Sequence, residues 1–253
     1  MFKKCLSILW GVFVFLSLWH AVVWVFDIER FLLPSPVLVW ESLVTKYMYI
    51  FADAKITALE IALGMILGVT LGFANGLLLQ MFKRFRRWMM PVLVVSQAIP
   101  LYAIAPLLVL WLGYDLAPKI VMVVIIIFFP VTTAFYDGLR RTDTGLIDLA
   151  QSMGASKVTI LFKVRLPYAL PALGSGVRVA SAFAPIGAIV GEWVGASAGL
   201  GYRMVYSNAR MQTADMFASL VVLVIMALSL YYTTDWAVKK LLPWNKETMN
   251  GER

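Results

Sequence analysis

Apolar residues in this chain gather in six long blocks separated by short polar stretches. The blocks run approximately from Leu6 to Phe26, Ile56 to Met81, Met89 to Leu112, Lys119 to Tyr136, Ala172 to Val194 and Ala214 to Val238. A helix needs about 20 apolar residues to cross a hydrocarbon core of about 30 Å, so each block predicts a transmembrane helix. The fold class is therefore all-α and polytopic. Lys3 and Lys4 precede the first block as they would in a signal peptide, but the apolar run is too long and no small-x-small cleavage pattern follows, so it reads as an anchor span. After it, Leu33-Pro34-Ser35-Pro36 breaks the chain, and Val37, Trp40, Val44, Tyr47 and Phe51 recur at three- and four-residue spacing. That pattern fits an amphipathic helix lying in the outer interface and equally a simple connector. The expected organisation is an anchor span with its outer segment over 1–55, a five-span core over 56–238 that includes a cytoplasmic loop at 140–171, and a tail over 239–253.

Composition agrees. The 253 residues are 61% hydrophobic and only 14% charged, with mean hydropathy +0.83, whereas soluble domains carry about 25% charged residues. Net charge is +8, which could mark a nucleic-acid surface or cations sorted to one side of a bilayer. With the N-terminus inside, fifteen of the 22 Lys and Arg fall on cytoplasmic segments: Lys3, Lys4, Lys83, Arg84, Arg86, Arg87, Arg140, Arg141, Lys157, Lys163, Arg165, Lys239, Lys240, Lys246 and Arg253. Arg30, Lys46, Lys55, Lys119, Arg203 and Arg210 fall outside, and Arg178 lies within the fifth block. The asymmetry follows the positive-inside rule, with both termini cytoplasmic, and leaves nothing for nucleic-acid binding to explain. The single cysteine, Cys5, excludes an intramolecular disulfide and a Cys-based zinc site, and the single histidine, His20, leaves little for metal or His-based catalysis.

Glycines and prolines are placed unevenly. Gly64, Gly68, Gly72 and Gly76 repeat every four residues, as do Gly187, Gly191, Gly195 and Gly199; such ladders form grooves that let a second helix approach closely. The partner helix could belong to this chain or to another. Pro91, Pro100 and Pro106 each remove a backbone hydrogen bond from the third span and invite a kink. With Gln97 they suggest a helix lining a cavity, since broken helices at membrane depth need protein or water to satisfy the backbone. Glu60, Arg178 and Glu192 lie in or at the ends of spans, where an ionisable group is a functional candidate. Glu192 stands out beside the second ladder, with Gly195, Gly199 and Gly201 making the outer segment after it pliable, as a gate would be. Glu60 and Glu192 lie near enough to the outer ends to reach water, and Arg178 could snorkel.

The cytoplasmic loop carries the most specific signal. Asp143 or Thr144 can cap a short helix, Asp148 lies near its positive end, and Gly154 can end it in the left-handed conformation. Ser156 can cap a second helix, which Pro167 is expected to stop. Leu146, Leu149, Ala150 and Met153 form one apolar stripe that an exposed loop would need a partner to cover. The order Asp148-Leu149-Ala150, Gly154, Val164-Arg165-Leu166-Pro167 and Pro171 resembles the Glu-Ala-Ala signature of the integral membrane permeases of binding-protein-dependent ABC importers, with Asp148 and Leu149 departing from its first two residues. The resemblance extends through Ile99-Pro100-Leu101, Ala105-Pro106-Leu107, Trp111-Leu112-Gly113 and Gly191-Glu192-Trp193-Val194-Gly195-Ala196 to Gly199-Leu200-Gly201-Tyr202. These motifs are similar to the nitrate/sulfonate/taurine branch, and most of all to its permeases for an aminopyrimidine precursor of thiamine.

The resemblance implies a multi-pass inner-membrane protein that forms a homodimer and works with an ABC ATPase subunit and an external solute-binding protein. It implies that residues from Asp148 to Lys163 dock in a groove of the ATPase, through Asp148, Leu149, Ala150, Met153, Gly154, Ala155 and Leu161, with Pro167 closing the motif. Gln97, Pro100, Glu192, Gly195 and Gly199 are the expected translocation path or gate. No Gly-Lys dipeptide occurs, so the chain lacks the Gly-x-x-x-x-Gly-Lys phosphate loop, and ATP and Mg are expected only on the partner; the chain itself is not expected to be an enzyme or to hold a cofactor or metal. Two rivals stand beside this. Gly195-Ala196-Ser197-Ala198-Gly199 satisfies the Gly-x-Ser-x-Gly pattern of serine hydrolases, although His20 has no reason to approach Ser197. A gradient-driven transporter could use Glu60 or Glu192 as a proton relay, but it would leave the cytoplasmic loop unexplained, and the halves show no internal repeat.

Overall fold

The computed structural model describes residues 2–244, and every regular element among them is helical. In chain order these are α1 (Phe2–Val25), α2 (Pro36–Thr45), α3 (Tyr47–Met81), α4 (Lys83–Ala98), α5 (Leu101–Leu112), α6 (Leu116–Arg140), α7 (Thr144–Ser152), α8 (Lys157–Ile160), a π-turn (Leu161–Arg165), α9 (Leu166–Gly195), α10 (Leu200–Ala209) and α11 (Thr213–Leu241). Lys246, Arg253 and most of the expected tail lie outside the described residues.

Four helical runs are long and apolar enough to cross a membrane: α3, α6, the continuous run Lys157–Gly195 and α11. α4 and α5 make a fifth if counted as one span, bent by 103°. The remaining expected crossing falls on α1, whose apolar stretch Trp10–Val25 is shorter, so four unbroken helices and one bent pair account for five of the six expected spans. Of the three prolines in that pair only Pro100 breaks the helix. It biases the preceding residue away from helical backbone, and Ile99 is extended at ψ 121°, while Pro91 and Pro106 stay inside α4 and α5.

The second span begins earlier than its hydropathy suggests. Ser35 caps α2 by accepting from the Leu38 amide, Pro36 occupies the first turn, and α3 starts one residue after Lys46 ends α2. The five residues of the expected stripe are divided between two helices: Val37, Trp40 and Val44 are exposed on α2, and Tyr47 and Phe51 on α3.

The helices form two compact units. One takes residues up to Thr57 together with Ser197–Ile225; the other takes Ala58–Ala196 and residues from Met226 onward. The second unit is built around α6, whose Met122, Val123, Ile127, Val131, Phe135 and Leu139 are fully buried. Gly64, Gly68, Gly72 and Gly76 of α3 lie against Val123, Ile127, Val131 and Phe135. The numbers rise together, so α3 and α6 run parallel, and the first glycine ladder has its partner within this chain. α9 covers another side in the opposite direction. Gly187 meets the Val123 backbone, Gly191 meets Lys119, Gly176 meets Pro130 and Ala134, and Gly138 of α6 receives Ala169 and Ala172. Lipid offers no hydrophobic drive for helix association, so such backbone-close packing has to supply the cohesion.

α5 sets Ala105 and Leu108 on Met122, and α4 sets Leu93 with Leu79 and Tyr136, so the bent pair covers α6 from one end to the other. From α11, Met226 and Leu230 pack on the Val123 and Ile127 core, and Val238 packs on Gly174. In the first unit, the Trp19 and Phe217 rings stand 5.6 Å apart and the Thr213 hydroxyl donates to the Arg30 carbonyl at 2.7 Å.

Candidate functional site

The loop between α6 and α9 is preorganised by caps at both ends of α7. The Asp143 carboxylate accepts from the Gly145 amide at 2.8 Å. At the other end Gly154 has φ +77°, its amide donates to the Gln151 carbonyl, and the Ala155 amide donates to the Ala150 carbonyl. This is the paired closure of a Schellman motif, which needs a left-handed residue at that place. Ser156 then caps α8 by accepting from the Thr159 amide at 3.1 Å. Asp148 is the fifth residue of α7, beyond the first turn where a carboxylate gains from the helix dipole. No residue of α7 is buried; Leu146, Leu149 and Met153 of the apolar stripe are exposed, Met153 by 79%.

Pro167 does not stop the second helix. α8 passes through the π-turn into α9, and the Leu166 amide donates five residues back to the Leu161 carbonyl. The wider turn accommodates a residue with no N–H to give and a ring that would crowd the preceding turn of a regular α-helix. The run Lys157–Gly195 is thus one 39-residue element, joining the loop to the opposite end of α9.

That end holds a buried ionic cluster that the sequence shows only in part. Glu60 of α3 and Glu192 of α9 are 0% and 1% exposed, so neither reaches water as expected. Glu60 faces Glu192 and lies within the electrostatic reach of Lys119. Lys119, expected to flank a span, is buried at the start of α6, and its ammonium donates to the Tyr114 and Asp115 carbonyls at 2.8 Å each. Gly191 lets α9 approach Lys119: a Cβ there would sit 2.9 Å from the Lys119 Cα. Gly195 lies against Val109 and ends α9, so the second ladder loses Gly199 to the next turn. Gln97 and Pro100 stand exposed at the α4–α5 bend. Arg178 does not snorkel; its Nε meets Asp235 of α11 at 2.8 Å, and Asp235 also meets Lys239 at 2.7 Å.

In the first unit, the segment after Glu192 is held firmly where it enters α10. The Gly199 amide donates to the Asp53 carboxylate at 3.1 Å and the Leu200 amide to the Thr57 hydroxyl at 2.9 Å. Asp53 also pairs with Arg203 at 2.7 Å. Arg203 reaches Asp215 at 3.3 Å, as does Lys46, and Ser207 donates to the same carboxylate at 3.1 Å. Gly199, at φ +111°, lets the chain enter this network. Ser197 is exposed and makes no hydrogen bond among the described residues, which leaves the hydrolase pattern without a base. No group of His, Cys, Asp and Glu among the described residues could hold a metal.

With this geometry established, known proteins place the chain. A probable ABC transporter permease of Haemophilus influenzae is 48% identical over 229 residues, covering 90% of this chain and 94% of that protein. The formylaminopyrimidine transport permease ThiX of Halalkalibacterium halodurans is 35% identical, covering 87% and 88%. The riboflavin transport system permease RibX of Chloroflexus aurantiacus is 34% identical, covering 90% and 86%. Permeases named for aliphatic sulfonates and taurine also match, consistent with the nitrate/sulfonate/taurine branch. Among solved structures, an inward-facing MetNI methionine ABC transporter shares the fold, with TM-score 0.66 at 23% identity over 78% of this chain and 97% of that one. The family model described as "Binding-protein-dependent transport system inner membrane component" matches residues 60–246. The chain belongs to this family, the membrane permeases of ABC transporters.

Proposed function

We propose that this permease passes an aminopyrimidine precursor of thiamine inward, as one of two copies in an importer whose ATP hydrolysis resides on a separate subunit. The observation that carries the coupling is α7: capped at both ends, with no buried residue, and presenting Leu146, Leu149 and Met153 to the outside. An unpartnered apolar stripe on a short, rigidly ended helix fits the helix-in-groove mode of recognition, and the ATPase is its proposed occupant. Asp148, Leu149, Ala150, Met153, Gly154 and Ala155 form that contact, with Leu161 buried behind them, on the cytoplasmic side together with both termini. A solute-binding protein delivers the solute from outside. Glu192, joined to Glu60 and Lys119, and the Gln97–Pro100 bend are proposed to border the path.

A relative named for formylaminopyrimidine transport supports the solute; a sulfonate or taurine is the second reading, supported by the relatives carrying those names. The test is ATPase activity of the chain reconstituted in lipid with its ATPase partner. Wild type is compared with Gly154→Asp, with binding protein loaded with aminopyrimidine or taurine. Stimulation by the aminopyrimidine that is lost in Gly154→Asp is expected. Stimulation by taurine alone overturns the solute, and a folded chain that associates with no ATPase overturns the coupling.

A further inference from the structure

We propose that the cavity beneath α7 binds the phosphate headgroup of an anionic lipid of the cytoplasmic leaflet. It encloses about 420 Å³ and is lined by Gln80, Met81 and Lys83 at the α3–α4 junction, Ile147 and Gln151 of α7, and Lys157, Val158, Ile160, Leu161 and Arg165 of α8 and the π-turn. Three cations border it and no carboxylate does. None of Lys83, Lys157 and Arg165 makes an ion pair or a side-chain hydrogen bond among the described residues. Three cations gathered around one concavity repel one another unless an anion sits among them. Besides Gln80 and Gln151, the rest of the lining is apolar, through Met81, Ile147, Val158, Ile160 and Leu161, which suits the glycerol and upper acyl part of a lipid better than a free ion.

The placement agrees with this chemistry. The cavity lies where α3 ends and α4 begins, and Phe82 and Trp88 stand exposed beside that junction, as aromatic side chains do at headgroup level. Leu161 and Arg165, the two ends of the π-turn, lie on the cavity wall, and such turns often mark functional places in helices. Ile147 and Gln151 are one turn apart on α7, roughly two-fifths of a revolution from the exposed Leu146–Leu149–Met153 stripe. Lipid and ATPase would therefore use different faces of α7. The inference rests on the cytoplasmic orientation of the loop and not on the identity of the solute.

The test is native mass spectrometry of the purified chain with phosphatidylglycerol, phosphatidylcholine and the soluble headgroup glycerol phosphate. Each variant is checked for monodispersity and for ATPase association. The cavity variant is Lys83→Gln/Lys157→Gln/Arg165→Gln, and the control is Arg84→Gln/Arg87→Gln, which removes nearby charges that do not line the cavity. A basic residue at an anionic headgroup is worth roughly fivefold in binding. The cavity variant is therefore expected to lose at least about tenfold of phosphatidylglycerol retention, with the control near wild type and phosphatidylcholine weak throughout. Equal losses in cavity and control variants, or equal retention of both lipids, overturn the proposal. Displacement of the lipid by glycerol phosphate overturns the lipid assignment in favour of a free phosphate ester. A cavity variant that keeps its lipid but loses the ATPase assigns these cations to that subunit and overturns it as well.

Discussion

Gly187→Ala offers the sharpest test of the packing argument. The residue sits mid-helix in α9 with ordinary helical backbone, where alanine on its own would stabilise by about 0.5–1 kcal/mol because glycine loses more freedom on folding. The structure reverses that sign. A Cβ at Gly187 would stand 2.8 Å from the Val123 Cα and 3.1 Å from the Met122 carbonyl oxygen, and backbone atoms cannot swing aside as a side-chain tip can. Reaching the contact optimum of about 3.5–4.0 Å means parting α9 from α6 by about 1 Å. That disturbs the neighbouring contacts at Gly191 and Gly176 as well. Overpacking of this kind costs about 1–3 kcal/mol, more where a whole interface shifts. Gly11→Ala in α1 is the reference, since nothing lies within 4 Å of its Cβ position. Thermal unfolding of both variants in the same detergent should show Gly187→Ala less stable than wild type and Gly11→Ala equal to it or slightly more stable. Equal melting for the two would refute the close α6–α9 approach.

Three further outcomes follow from named contacts. Arg203→Ala should destabilise by on the order of 3 kcal/mol, because Asp53 and Asp215 lose their shared, largely buried partner; Lys46→Ala, which removes a more exposed partner of Asp215, should cost under about 1 kcal/mol, and denaturation of the two variants side by side checks the ranking. Leu149→Asp and Met153→Asp should leave thermal stability unchanged, since both side chains are exposed, while abolishing stimulation of the partner ATPase in a reconstituted assay. Lys119→Met should destabilise by about 1–3 kcal/mol, because the Tyr114 and Asp115 carbonyls lose their ammonium donor and Glu60 loses a neighbouring positive charge, and adding Glu60→Gln should restore part of the loss; a single variant as stable as wild type would remove Lys119 from the cluster.

What could be read from the sequence follows from how strongly the bilayer constrains it. Spans were legible because an apolar block of bilayer length has few other fates, and the α7 caps because Asp143, Gly154 and Ser156 each have one dominant local use. The glycine ladders announced close packing but not its partner: Val123, Ile127, Val131 and Phe135 look like any apolar helix face. Lys119 read as a flanking cation because burial is not encoded locally; its ammonium is satisfied by carbonyls four and five residues back. The network of Asp53, Arg203 and Asp215 joins three helices, with Arg203 reaching Asp53 across 150 positions of sequence, and no periodicity reports that. Pro167 misled for a specific reason. A proline ends a helix only if the preceding turn stays α-helical, and here the backbone widens into a π-turn instead.

That widening bears on how motion at α7 could travel. The run from Lys157 to Gly195 contains 39 residues and, at about 1.5 Å per residue, extends roughly 58 Å. One end adjoins the proposed ATPase contact; the other carries Glu192 and Gly195. Along its length Gly176, Gly187 and Gly191 seat it against α6 at backbone distance, so α9 cannot slide or roll on α6 without losing those contacts. A displacement of α7 has two outlets: α6 and α9 move together as a rigid pair, or the run bends where its hydrogen bonding is irregular. The irregular place is Leu161–Arg165, which also forms part of the basic cavity. An occupant bridging Lys83, Lys157 and Arg165 would tie both sides of that turn to the α3–α4 junction, leaving rigid-body movement of the pair as the route by which the loop reaches the buried carboxyl cluster.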